Sequence, residues 1–271
     1  MQWTEDMSSE VKYRIYPSLL DKFQSFLDAD IEAEGFWNVD SETGEQKRTA
    51  EEIADTRERE LLDAINRVPH EPIEAADKGT CFNELVDWLN GNESRVAIKR
   101  IDDGTECPPY VCELNGFVFK FSAELTHEVA EMFRGAVPQY PCRGCLDTCY
   151  GEVELYGYAD EILRNKVYDL KTTSAYSFGK FERGWQKEVY PWCLTSWDDI
   201  EVKEFEYTVV QLTKPSQRNP VIGGKIYREV YTYDHEATEK RLKAFVERFI
   251  EWLESHRGEI TDAKIFGGEK I

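Results

Sequence analysis

The sequence predicts a mixed α/β (α+β) layer fold, with a central mixed sheet flanked by helices. Three observations lead there. Helix-period apolar runs fill the first third of the chain, short alternating runs fill the middle, and strands with one long amphipathic helix close it. The 271 residues are 41% hydrophobic, enough for a large core. Composition shows no break, so one domain over 1–271 is expected, with an N-terminal helical annex (1–76) and a core (77–256).

The elements follow in order. Met1–Lys12 is acidic and has no apolar run, so it reads as a loose terminus without a secretory signal. Pro17-Ser18 opens a helix with Leu19, Leu20, Phe23, Phe26 and Leu27 at helical spacing. Gly35–Lys47 is polar and reads as a loop. Thr49 can cap a second helix from Ala50 to Val68, ended by Pro69. Asp77-Lys78-Gly79-Thr80 precedes a third, with Phe82, Leu85, Val86 and Leu89 on one side and Gly91 at its close. Arg95–Phe121 turns to short strand-like runs, and a helix then starts at Ser122 or Thr126 and reaches Ala136.

Strand-like runs around Gln139–Leu146 and Glu152–Tyr158 lead into Leu155–Ile162, a polar turn Leu163-Arg164-Asn165, and Lys166–Thr173. Ser174–Leu194 is helical in its later part, with Phe181, Trp185, Val189 and Trp192 as an apolar stripe. Glu204–Leu212 and Ile226–Tyr233 alternate as strands, and His235–His256 is an amphipathic helix.

Charge narrows the function classes. The formal net charge is −20, whereas nucleic-acid binders usually carry basic surfaces. Residues 162–187 run against this, with Arg164, Lys166, Lys171, Lys180, Arg183 and Lys187 set against Asp169 and Glu182. No apolar stretch is long enough to span a bilayer, so no membrane partner is expected. Seven cysteines, an odd number, suggest reduced thiols and a cytoplasmic setting. Cys142, Cys145 and Cys149 carry the CxxC spacing of a zinc or iron–sulfur site, but alternate cysteines in a hairpin are read first as packed thiols. There is no P-loop and no nucleophile elbow.

The stretch that carries chemistry is Asp160 followed by Asp169-Leu170-Lys171. Strand alternation puts Asp169 and Lys171 on one face. Two carboxylates and an ammonium gathered in a core are costly unless a cation joins them. Mg²⁺ or Mn²⁺ suits such oxygen donors, with the Leu170 carbonyl as a further ligand. Gln186 and Tyr190, four apart, share a helix face and can reach the same pocket.

The array Gly157-x-x-Asp160, Asp169-x-Lys171 and Gln186-x-x-x-Tyr190 resembles the PD-(D/E)xK nuclease superfamily, and most of all its RecB-type and phage exonuclease-like branch. Gly79-Thr80-Cys81-Phe82-Asn83 resembles that branch's first motif, with Asn83 where many members carry a metal-ligating histidine. The resemblance implies a restriction-endonuclease-like core, DNA as substrate and Mg²⁺ or Mn²⁺ as cofactor. It implies Asp160 and Asp169 as metal ligands beside Leu170, Asn83 as a weaker ligand, Lys171 as the catalytic lysine, and Gln186 and Tyr190 as residues completing the motif. The expected function is a metal-dependent DNA nuclease, an exonuclease of recombination, repair or phage DNA processing. A homo-oligomer with basic residues turned inward and a recombination partner protein fit that expectation. The alternative is a nuclease-fold protein without catalysis that binds DNA ends or other proteins. A metal-free acid–base pair of Asp160 and Asp169 fits less well, because Lys171 would hold both ionised.

Overall fold

A computed structural model describes residues 11–40, 42–102, 104 and 106–267. The chain runs β1 (Tyr13–Ile15), α1 (Pro17–Leu27), α2 (Ile31–Trp37), α3 (Ala50–Ile65), α4 (Glu74–Leu89), β2 (Ala97–Arg100), β3 (Tyr110–Leu114), β4 (Phe117–Phe121) and α5 (Ala123–Met132). It continues β5 (Val137–Thr148), β6 (Gly151–Leu163), β7 (Lys166–Thr173), α6 (Gln186–Trp197), β8 (Glu204–Leu212), β9 (Gly224–Thr232) and α7 (His235–Ser255). The fold is mixed α/β, with a central sheet flanked by helices.

The central sheet has the order β1-β6-β7-β8-β9, with β5 paired to the other edge of β6. The β1–β6 and β7–β8 pairs are parallel, and the rest are antiparallel. A separate antiparallel sheet, β2-β3-β4, packs nearby. One edge of β6 is shared. Its Val153–Leu155 segment pairs with β1, and Glu161–Leu163 pairs with β7. Residues 156–160 have no ladder partner on that edge, and Asp160 lies where β7 peels away.

Two apolar cores lie on opposite faces of the sheet. The first holds Leu19, Phe23, Leu61, Ile65, Val189, Leu242 and Phe249 against Val153, Leu155, Val167 and Val209. The second holds Phe82, Leu85, Val129 and Phe133 against Leu170 and Val210. Each large aliphatic or aromatic side chain buried this way contributes about 1.5–3 kcal/mol. The α7 stripe, Leu242, Val246, Phe249, Ile250 and Leu253, is fully buried, and Phe23 of α1 stacks against Phe249 at 4.8 Å.

Several expectations are adjusted. The N-terminal stretch read as a helical annex also supplies a strand: β1 joins the central sheet, and α1 and α3 fill the first core. The Met1–Lys12 reading falls almost wholly outside the described residues. Helix α2 occupies part of what reads as a loop from Gly35, its start capped by Asp30. Helix α4 begins at Glu74, so Gly79-Thr80 lies inside it rather than before it. Thr49 caps α3 as its sequence predicts, and Glu52 completes a capping box with it. Among the described residues no helix is long and apolar enough to cross a membrane.

Candidate active site

The site is assembled by four elements. β6 brings Asp160, β7 brings Asp169 and Lys171, α6 brings Gln186 and Tyr190, and α4 approaches from the opposite face with Asn83. The hairpin between β6 and β7 turns through Arg164, at φ 58°, so Asp160 comes to lie opposite Asp169 just beyond the last ladder pair. With no strand partner there, the Leu170 N–H donates to Asp160 Oδ2 at 3.1 Å. A side chain thus replaces a ladder bond where the strands diverge.

Lys171 is held from two sides. Its Nζ lies 2.7 Å from Asp169 Oδ2 and donates to Gln186 Oε1 at 2.6 Å. Gln186 Nε2 in turn donates to the Tyr190 hydroxyl at 3.5 Å. All five residues singled out from the sequence are therefore in one place. Tyr190 packs on Gly157, where a Cβ would come within 2.9 Å of its ring, so the glycine of that motif makes room for the tyrosine.

The first motif has a related origin. A Cβ at Gly79 would sit 2.9 Å from Thr172 Oγ1, so glycine lets α4 lie directly on β7. One turn later, Asn83 Nδ2 donates to the Leu170 carbonyl at 3.3 Å. The neighbouring Glu84 is committed elsewhere. It accepts from the Arg95 backbone at 2.8 Å and from Arg95 Nε at 2.6 Å.

Electrostatically the site is short of positive partners. Asp169 is 1% exposed, and neither of its carboxylate oxygens receives a directed hydrogen bond. The Lys171 ammonium is close enough to Oδ2 for an ion pair but off the hydrogen-bond direction. Asn83 Oδ1 is also buried without a donor. Burial, and then the charge of Asp169, push the Asp160 carboxyl up to about 7, against the pull of Lys171 and the Leu170 N–H. Burial works to lower the Lys171 ammonium, but Asp169 and Asp160 outweigh it and raise it.

The hard-oxygen acceptors here fit a divalent cation: the Asp169 oxygens and Asn83 Oδ1, which have no hydrogen-bond donor, with Asp160 and the second lone pair of the Leu170 carbonyl. Among the described residues no three His, Cys, Asp or Glu side chains gather at metal-ligand spacing. A cation here would therefore rest on two carboxylates, with neutral oxygens and water for the remainder.

Two residues that the sequence reading passed over also face the site. Asp21 of α1 accepts from the Trp185 N–H at 2.6 Å, at the start of α6, and its carboxyl is raised by burial while Lys171 pulls it down. Tyr207 pairs in register with Asp169 and is fully buried, and its hydroxyl has no hydrogen-bond partner. No spacing rule marks either, because α1 and β8 reach Lys171 only through the tertiary fold.

The basic stretch 162–187 is mostly neutralised. Lys166 pairs with Glu204 and Glu206, Lys171 with Asp169, Arg183 with Asp28, and Lys187 with Glu188. The three cysteines diverge: on β5 Cys142 is buried in the first core and Cys145 is half-buried, and Cys149 in the following turn is exposed.

No family model matches this sequence, and no curated protein matches it. A solved structure titled "Crystal structure of SSO0001" aligns with 46% of this chain at 13% identity and a TM-score of 0.33. The alignment takes in 56% of that structure's length. A likeness of that size carries no inference about what this chain does.

Proposed function

We propose that the chain is a divalent-metal-dependent DNA nuclease with a restriction-endonuclease-like core, acting as an exonuclease in recombination, repair or phage DNA processing. The observation that carries the reading is the cluster of buried Asp169 with half-buried Asp160 and Lys171, in which the Asp169 carboxylate has only the Lys171 ammonium beside it. Asp160, Asp169, the Leu170 carbonyl and Asn83 would hold Mg²⁺ or Mn²⁺. When bound, such a cation lowers the pKa of a coordinated water and offsets phosphate charge. Lys171 places its ammonium beside Asp169, where it can orient the attacking water and stabilise negative charge building on the phosphorus centre. Gln186 accepts a hydrogen bond from the Lys171 ammonium through its Oε1 and so fixes the direction of that ammonium. Tyr190 backs Gln186 and closes the pocket towards the core.

A second reading has its own support. Asn83 spends its amide on Leu170, and most of the basic stretch is already paired, which suits a silent DNA-end-binding or protein-interaction module. One experiment separates the two. Purified chain and Lys171→Ala are incubated with linear single- and double-stranded DNA in Mg²⁺, Mn²⁺ or EDTA. Metal-dependent degradation that the variant loses supports the nuclease. Binding without degradation in every metal supports the second reading, and degradation that persists in EDTA removes the metal from the first.

A further inference from the structure

Between β7 and α6 runs a segment, residues 174–185, that begins three residues after Lys171 and ends just before Gln186. Both of its ends are tied to the site. At the start, Gln211 Nε2 donates to the Ser174 carbonyl at 3.2 Å, and Lys180 Nζ donates to Thr173 Oγ1 at 2.6 Å and the Ala175 carbonyl at 2.8 Å. At the end, the Trp185 N–H donates to Asp21.

Its middle is pinned by a carboxylate from β9. Glu229 is 2% exposed and accepts from the Tyr176 hydroxyl at 2.6 Å, the Gly179 N–H at 3.0 Å and the Tyr231 hydroxyl at 2.7 Å. Burial works to raise that carboxyl, yet these donors hold it below its ordinary value. Tyr176 stacks on Tyr227 with ring centroids 4.3 Å apart, and Phe181 packs on Tyr207 at 5.6 Å, the residue in register with Asp169.

At the tip of this tightly held segment sits Phe178, 86% exposed. A single exposed aromatic on a loose loop needs no explanation. One held out to water by a segment fixed at both ends and in the middle has no folding reason to be aromatic, because its ring buries nothing. Its surroundings indicate what covers it. The Lys180 ammonium two residues on donates to two neutral oxygens and has no carboxylate partner among the described residues. An open groove of ≈ 1090 Å³ borders the segment at Lys180, Phe181, Arg183 and Gly184, and its other wall is α1–α3, with Asp21, Asp28, Asp30, Arg48 and Arg57. A flat apolar ring next to a cation suits a nucleobase and its phosphate, and stacking on such a ring is indifferent to base identity.

We propose that Phe178 is a preformed stacking platform for an unpaired nucleobase next to the scissile phosphate, held in place by Glu229. The assignment rests on the nuclease reading and makes its substrate class more specific: DNA with an unpaired strand end.

The test uses the whole chain, with Lys171→Ala as background so that binding is read without cleavage. Anisotropy is measured on a fluorescein-labelled oligo-dT, a blunt duplex, and oligo-dT carrying one abasic site at successive positions from the end. Phe178→Ala should weaken oligo-dT binding roughly ten-fold and leave the blunt duplex nearly unchanged, while Phe178→Trp keeps full affinity. One abasic position should cost the parent protein the same factor and cost Phe178→Ala nothing. Glu229→Gln should show part of the same loss. Equal oligo-dT binding by Phe178→Ala and its parent, while wild-type protein degrades DNA, overturns the platform alone. A Phe178→Ala effect confined to self-association in sedimentation overturns it in favour of a protein contact. Wild-type protein that neither binds nor degrades DNA in Mg²⁺ or Mn²⁺ overturns the nuclease reading as well, and is told apart by the absence of any activity.

Discussion

Two buried carboxylates sit on adjacent, paired strands and are treated in opposite ways. Glu206 on β8 is completely buried yet saturated. Arg228 grips it bidentately at 2.6 and 2.7 Å, Lys166 lies 2.7 Å away, and the Thr208 hydroxyl donates at 3.0 Å. Burial works to raise its carboxyl, but Arg228 and Lys166 overcome this and hold it below its ordinary value. Asp169 on β7 has only Lys171 beside it and no directed hydrogen bond, and its companion Asp160 is pushed up to about 7. Glu206 is what a fold does with a buried charge when stability is the only demand. The Asp160–Asp169 cluster keeps acceptors unfilled, the kind of local inconsistency expected where a ligand completes the arrangement.

Exchanging the two centres by mutation gives the largest expected effects. Lys171→Ala should lower the rate of DNA degradation by about 10³-fold in single-turnover assays while the protein stays folded. Glu206→Ala should do the reverse. It strands Arg228 and leaves Lys166 with Glu204 alone, and because Arg228 is half exposed the cost is about 3 kcal/mol in urea unfolding, with activity per folded molecule unchanged. If Glu206→Ala removes activity and Lys171→Ala removes stability, the contrast between the centres is wrong.

A ligand should sharpen the difference. Mn²⁺ at a hundred times its dissociation constant should stabilise wild-type protein by about 2.7 kcal/mol in thermal unfolding, and Asp169→Asn should remove the gain while Glu206→Gln keeps it. Gln186→Ala, which frees the Lys171 ammonium without touching a carboxylate, should slow degradation by roughly ten-fold, read as kcat with KM unchanged.

The smallest effect is one of sign with pH. Asp160 is raised from 3.8 to about 7, so its share of stability is full below about pH 4 and is lost as pH rises through 7. Glu206 is lowered from 4.5, so its share is present above that value and lost as pH falls below it. Without metal, Asp160→Asn should therefore melt above wild type at pH 8 and match it near pH 4. Glu206→Gln should melt below wild type at pH 8, with the gap narrowing in acid. Parallel pH profiles for the two variants would remove the distinction.

Much of this was legible in the residues themselves. Alternation located β7 and put Asp169 with Lys171 on one face, and the four-residue step put Gln186 and Tyr190 on one side of α6. Both are local rules, set by the geometry of a strand and of a helix turn. The glycines at 79 and 157 were visible as motif letters, but their reasons, Thr172 and Tyr190 in close approach, were not. Glu84, next to Asn83 on α4, points about 100° away from it by helix geometry, and its bond to Arg95 agrees.

The amino-acid order by itself thus determined the mixed α/β layering, the strand that carries the acid–lysine pair and the helix that faces it, because each depends on periodicity within one segment. The tertiary structure alone decided the rest. It drew β1 and α1 into the core and set Asp21 and Tyr207 against the site. It paired most of the basic stretch with carboxylates from elsewhere, and it gave Glu206 partners while leaving Asp169 short of them. The physical reason is that charge pairing and strand order join residues far apart in sequence, and no local spacing records which of them will meet.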